Sequence, residues 1–115
     1  MKIGYEDIGQ VAVTMEAADT VKAGMAVSLS GNGMVTVCPD GKAMGGVALN
    51  VRDGAAAVQV GGFVTVGYSG ATAPAAGWNK LAGDGSGKVK VDSANGRDIL
   101  VTDVDETAKT AVLYL

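Results

Sequence analysis

Turn-forming glycine groups interrupt this chain too often to leave room for helices of ordinary length. Gly31-Asn32-Gly33, Pro39-Asp40-Gly41, Asp53-Gly54, Gly61-Gly62, Gly83-Asp84-Gly85 and Asn95-Gly96 follow one another at short intervals. Glycine and asparagine accept the positive φ angles of tight turns, and proline presets one turn position. The intervening stretches are rich in valine, alternate in polarity, and show almost no helical periodicity. Short strands at this spacing argue for an all-β barrel or sandwich.

The expected strands are Met25–Ser30, Met34–Cys38, Gly46–Val51, Ala56–Val60, Phe63–Tyr68, Trp78–Leu81 and Lys88–Asp92. A C-terminal hairpin of Arg97–Val104 and Thr110–Leu115 closes on Asp105-Glu106-Thr107-Ala108-Lys109. Side chains alternate between strand faces. Met25, Val27 and Leu29 should therefore share one face, and Val64, Val66 and Tyr68 should oppose Phe63, Thr65 and Gly67. Ser69–Gly77 reads as the one loose loop. Residues 1–20 are less regular: Val11, Val13 and Met15 alternate weakly, and Glu16–Thr20 fits a short helix or an extended run. This segment is expected to be an N-terminal arm, or else a strand, beside a β domain over residues 21–115.

The 115 residues are the size of one domain. Apolar residues make up 48%, so the chain can bury a core, but only 4% are aromatic. Such a core is thin and is expected to benefit from neighbours. The net charge of −3 and scattered basic residues argue against a nucleic-acid or anionic-membrane partner. No stretch reaches the roughly 18 apolar residues of a membrane span. The first residues include acidic Glu6 and Asp7 where a signal peptide needs an apolar run. A soluble protein made in the cytosol is expected.

Candidate chemistry is sparse. With no histidine, the commonest general base and its nucleophile pairings are missing. The single cysteine, Cys38, excludes an internal disulfide and reads as a small semi-buried apolar residue. Gly83–Lys88 resembles a phosphate loop, but Ala82 and Val89 stand where it needs glycine and Ser/Thr. A calcium loop from Asp103 would need glycine at 108 and a carboxylate at 114, where Ala108 and Tyr114 stand. The remaining turn carboxylates, Asp19, Asp40, Asp53, Asp84, Asp92 and Glu106, suit turn chemistry. Catalytic, cofactor-binding and metal-binding residues are all expected to be none. The protein should bind or build, not catalyse.

The order of segments resembles the small capsid decoration (cement) proteins of tailed bacteriophages. The resemblance runs through Val21–Val27, Gly45-Gly46-Val47-Ala48, Val58–Val66, Lys80-Leu81 with its glycine turn, and Ile99–Asp105 before a last strand. Tyr5–Gly9 is similar to the start of prophage members. The resemblance implies a small single-domain β-barrel or sandwich, β-tulip-like, with no enzymatic activity. It implies a homotrimer on the outer surface of the virion, bridging copies of the major capsid protein. On this reading the arm contributes to capsid or inter-subunit contact by strand addition, and its deletion leaves the domain folded. Two other readings compete. A carbohydrate-binding β module requires Trp78, Tyr68 and Phe63 to share an exposed face. A lipoyl-type carrier would present Lys42 at a hairpin tip, although Gly41 and Ala43-Met44 do not match its usual setting.

Overall fold

A computed structural model describes residues 9–115 and, among these, contains ten strands and no helix. The first five form a closed barrel: β1 (Val11–Ala17), β2 (Ala26–Gly31), β3 (Met34–Val37), β4 (Gly46–Arg52) and β5 (Ala55–Gly61). Their order around the barrel is β1-β3-β2-β4-β5, and β5 pairs back onto β1. The remaining strands are β6 (Phe63–Gly67), β7 (Gly77–Gly83), β8 (Val89–Val91), β9 (Arg97–Asp105) and β10 (Thr110–Tyr114). They form an antiparallel sheet in the order β6-β10-β9-β7-β8. The barrel-or-sandwich expectation therefore resolves into a barrel packed on a second sheet.

The segment expected as an arm is corrected by the pairing. Residues 1–8 lie outside the described residues, but Val11–Ala17 is a full member of the barrel. It runs antiparallel to β5 from Val11↔Gly61 to Glu16↔Ala55, and parallel to β3 at Glu16↔Met34 and Ala17↔Val35. Glu16 and Ala17 are extended, not helical, because both sides of the strand have ladder partners. A division at residue 20 would thus cut β1 away from the two strands that it joins.

Local chemistry explains the turns. Asp53 and Gly54 both have positive φ (53° and 77°), the combination of a type I′ hairpin whose twist matches the flanking strands. Asp105 Oδ1 accepts the amides of Thr107 and Ala108, each at 3.0 Å, and so shapes the β9–β10 turn. At the β5–β6 junction the buried Gln59 amide donates to Gly61 O (2.9 Å) and Phe63 O (2.8 Å), satisfying carbonyls that the ladders leave open.

Two apolar clusters hold the molecule. One fills the barrel: Val21, Val27, Val35, Ala48, Ala56 and Val58, with Met15 and Val51 packed against them. Barrel diameter grows with strand number, so five strands leave an interior that valine and alanine fill. This accounts for the scarcity of aromatics better than a deficient core does. The other cluster lies between barrel and sheet, joining Ala26, Cys38, Met44 and Val47 to Val64, Val66, Tyr68, Leu81, Ile99 and Leu113, among others. Backbone bonds add to it: Gly83 N–H donates to Lys42 O (2.8 Å), Gly41 N–H to Gly83 O (3.0 Å), and Ala26 N–H to Gly87 O (2.8 Å).

The alternation expected for Phe63–Tyr68 is observed, with Val64, Val66 and Tyr68 buried. In β2, Val27 and Leu29 share a face, both lining one barrel mouth, but burial does not follow the alternation. Ala26 and Ser28 are buried as well as Val27, whereas Leu29 is 57% exposed. The strand has the barrel interior on one side and the second sheet on the other, so both faces are covered at its start and neither at its end.

Among the described residues the Tyr68 hydroxyl has no hydrogen-bond partner, although the residue is buried. Burial, and then the charges of Glu106 and Asp105, push its pKa up. A buried, unpaired hydroxyl opposes folding, and its removal in the same shape is neutral or favourable. Tyr68→Phe is expected to hold or raise the urea midpoint. A clear fall would show that the hydroxyl is paired.

Candidate interaction surface

The outer face of the second sheet carries a row of apolar side chains set by strand register. Phe63 on β6 stands opposite Tyr114 on β10, Tyr114 opposite Leu100 on β9, and Leu100 opposite Trp78 on β7. Directly paired residues project from the same face, so the four form one line across four strands. At strand spacings of about 4.8 Å the row is roughly 14 Å long. The Phe63 and Tyr114 rings pack at 5.0 Å, tilted by 53°. Tyr114 is 46% and Trp78 72% exposed, whereas Phe63 and Leu100 are half-buried. Two pairs further along, on the same face, Lys80 opposes Asp98 and bridges it at 3.3 Å, so the row has a charged flank.

Trp78 is held from behind. The Asn79 amide donates to Ala75 O (2.6 Å) and Gly77 O (3.0 Å), and its oxygen accepts the Ala75 N–H (3.2 Å). This clip ties the loop before β7 to the strand and fixes the backbone under the indole.

The aromatic set required for sugar binding is not assembled as expected. Phe63 and Trp78 share the outer face, but Tyr68 is 2% exposed and points into the core. Tyr114 takes its place, and Leu100 joins it. Sequence reasoning missed both, although their parity within the C-terminal hairpin was available. Which pairs of strands are neighbours was not.

The other sequence candidates reduce to local structure. In the glycine-rich segment before Lys88, the Asp84 carboxylate of the segment itself gathers the nearby donors. It accepts Ser86 N–H (2.8 Å), Ser86 Oγ–H (2.9 Å), Lys88 N–H (3.1 Å) and Ser69 Oγ–H (2.6 Å). Burial raises its pKa, but these donors together bring it below the ordinary value. Asp92 accepts the amides of Ala94 and Asn95 and is lowered chiefly by the latter. Asp40 pairs with Lys90 at 2.6 Å, a bond that raises the lysine. Cys38 is buried, its thiol donating to Lys42 O (3.2 Å), and burial pushes its pKa up. That disfavours the reactive thiolate. Lys42 sits in a loop stapled to β7 by its own backbone, not at a free hairpin tip. Among the described residues no group of three His, Cys, Asp or Glu side chains converges as a metal site would require.

Two concavities among the described residues invite a ligand reading. A pocket of about 70 Å³ lies at one barrel mouth, lined by Met15, Val27, Leu29, Val35, Val58 and Val60. A wider groove of about 430 Å³ runs past Asp19, Lys22 and Asn50. Neither gathers convergent, buried polar groups of the kind that fix a small ligand.

No family model matches this chain, and a search of curated proteins finds no match. Fold and surface together define a class: a small all-β domain, barrel on sheet, with an exposed aromatic row.

Proposed function

We propose that this protein decorates the outer surface of an assembled bacteriophage head. It binds as a homotrimer, bridges neighbouring major capsid proteins, and stabilises the shell without catalysing a reaction. The observation that carries this reading is the Phe63–Tyr114–Leu100–Trp78 row. Exposed tryptophan and tyrosine beside a polar flank have the composition of binding hot spots. A flat strand face also suits a broad protein surface better than a small molecule. The segment order described above supports the same reading. Three copies of one modest contact bind by avidity, and a ligand that binds only the closed shell stabilises it.

The test is to mix the protein with empty heads assembled from its cognate major capsid protein. Light scattering gives the mass of the free protein, and sedimentation gives the copies bound per head. A free trimer saturating at a fixed ratio is expected. Trp78→Ala and Tyr114→Ala should each weaken binding tenfold or more, by the order of about 1.4–2 kcal/mol. Stability should change by no more than about 0.5 kcal/mol, because both side chains are exposed. A monomer indifferent to heads would overturn the reading.

A small carbohydrate-binding module is the second reading, favoured by the exposure of Trp78 in a line of rings. Quenching of the fluorescence of Trp78, the single tryptophan, by soluble oligosaccharides would select it.

A further inference from the structure

The chain contains two Asn-Gly pairs, Asn32-Gly33 and Asn95-Gly96, and the structure treats them oppositely. In such a pair the glycine amide nitrogen can attack the asparagine side-chain carbonyl, since no Cβ obstructs the approach. The attack forms a C–N bond and a five-membered imide. The amide group leaves as ammonia, carrying the glycine N–H proton. Water then opens the imide at either carbonyl, giving aspartate or isoaspartate. The step requires a free glycine N–H, a free side chain and room for the backbone to turn.

At Asn95-Gly96 two are withheld. Gly96 N–H donates to Asp92 O (2.9 Å), and Asn95 N–H donates to Asp92 Oδ1 (3.0 Å). Gly96 is also hemmed in by the backbones of Asp92, Lys80 and Leu81. At Asn32-Gly33 none is withheld among the described residues. Asn32 is exposed, its side chain and the Gly33 N–H have no hydrogen-bond partner, and nothing lies within 4 Å of where a Gly33 Cβ would project.

We infer that Asn32 is a site of spontaneous amide loss in the folded protein, and that its products loosen the barrel at one of its two shortest seams. Gly33 O accepts the Glu16 N–H (2.9 Å), at the start of the β1–β3 contact. Among the described residues that contact is the barrel's only parallel pairing, and it rests on Glu16↔Met34 and Ala17↔Val35. Isoaspartate would lengthen the main chain by one carbon directly before this acceptor. Either product would also place a new negative charge next to Glu16.

The test uses the full chain, held in mildly alkaline buffer at physiological temperature. Peptide mapping and enzymatic isoaspartate labelling follow both sites, in the folded protein and in urea. In urea the two sites should react at similar rates. In the folded protein position 32 should react roughly tenfold faster than position 95, or more, a difference of about 1.4 kcal/mol in barrier. The urea midpoint of the wild type should fall as position 32 converts, while that of Asn32→Gln stays constant over the same period. Equal rates in the folded protein, or no reaction at 32, would overturn the assignment. Conversion at 32 with an unmoved midpoint would overturn the link to the seam.

Discussion

A chain lacking residues 1–17 is expected to show no cooperative unfolding transition in urea and to lose the circular dichroism of its sheets. β1 supplies six consecutive partners to β5 and the only contact of β3 on that side. Without it the barrel has two open edges, and Val35, Ala56 and Val58 lose the cover of Met15 and Ala17. Unpaired edges and exposed apolar interiors invite association in place of folding. Domains of this size are stable by only about 5–15 kcal/mol, and the loss of one barrel strand exceeds what such a margin can absorb. A chain lacking only residues 1–8 keeps every pairing described above and should unfold cooperatively. If the longer truncation retained a sharp transition near the wild-type midpoint, β1 would be an appendage and the barrel closure wrong.

Gly96→Ala is expected to destabilise the protein by about 3–5 kcal/mol, at the upper end of what one methyl group does. An alanine Cβ there would fall 2.6 Å from Lys80 C and 2.7 Å from Leu81 N, and closer still to Asp92 O. All three neighbours are backbone atoms of β7 and of the turn before β9, so no side-chain rotation relieves the clash. Gly54→Ala provides the contrast. Gly54 has φ +77° with nothing within 4 Å of its Cβ position, so only the left-handed conformation opposes a side chain. That costs about 1–2 kcal/mol. Urea denaturation of the two variants separates crowding from conformation. Equal losses would mean that the backbone at Gly96 yields.

Both glycines look alike in the sequence, each the second member of a turn dipeptide. One is required by its own dihedral angles, which is local information. The other is required by backbone packed against it, Asp92 of its own turn and Lys80 and Leu81 of β7. The same division runs through the candidate surface. That Phe63 opposes Val64 on β6 follows from alternation alone. That Phe63, Tyr114, Leu100 and Trp78 form one line depends on the order β6-β10-β9-β7 and on the register of three ladders. Tyr68 illustrates the cost of lacking that order. Its polarity and position fit an exposed face, and only the packing of the sheet against Met44 and Val47 puts it inside.

The sequence by itself determined the all-β class, most of the turns and the alternation within β6, because each depends on residues within a few positions of one another. It also excluded the chemistry that needs histidine or several cysteines, because composition alone does that. Tertiary structure decided that Val11–Ala17 is a barrel strand, that Leu29 lies at the open end of β2, and that the exposed rings align. Those facts rest on pairings between distant segments, and hydrophobic alternation is the same whichever strand becomes the neighbour.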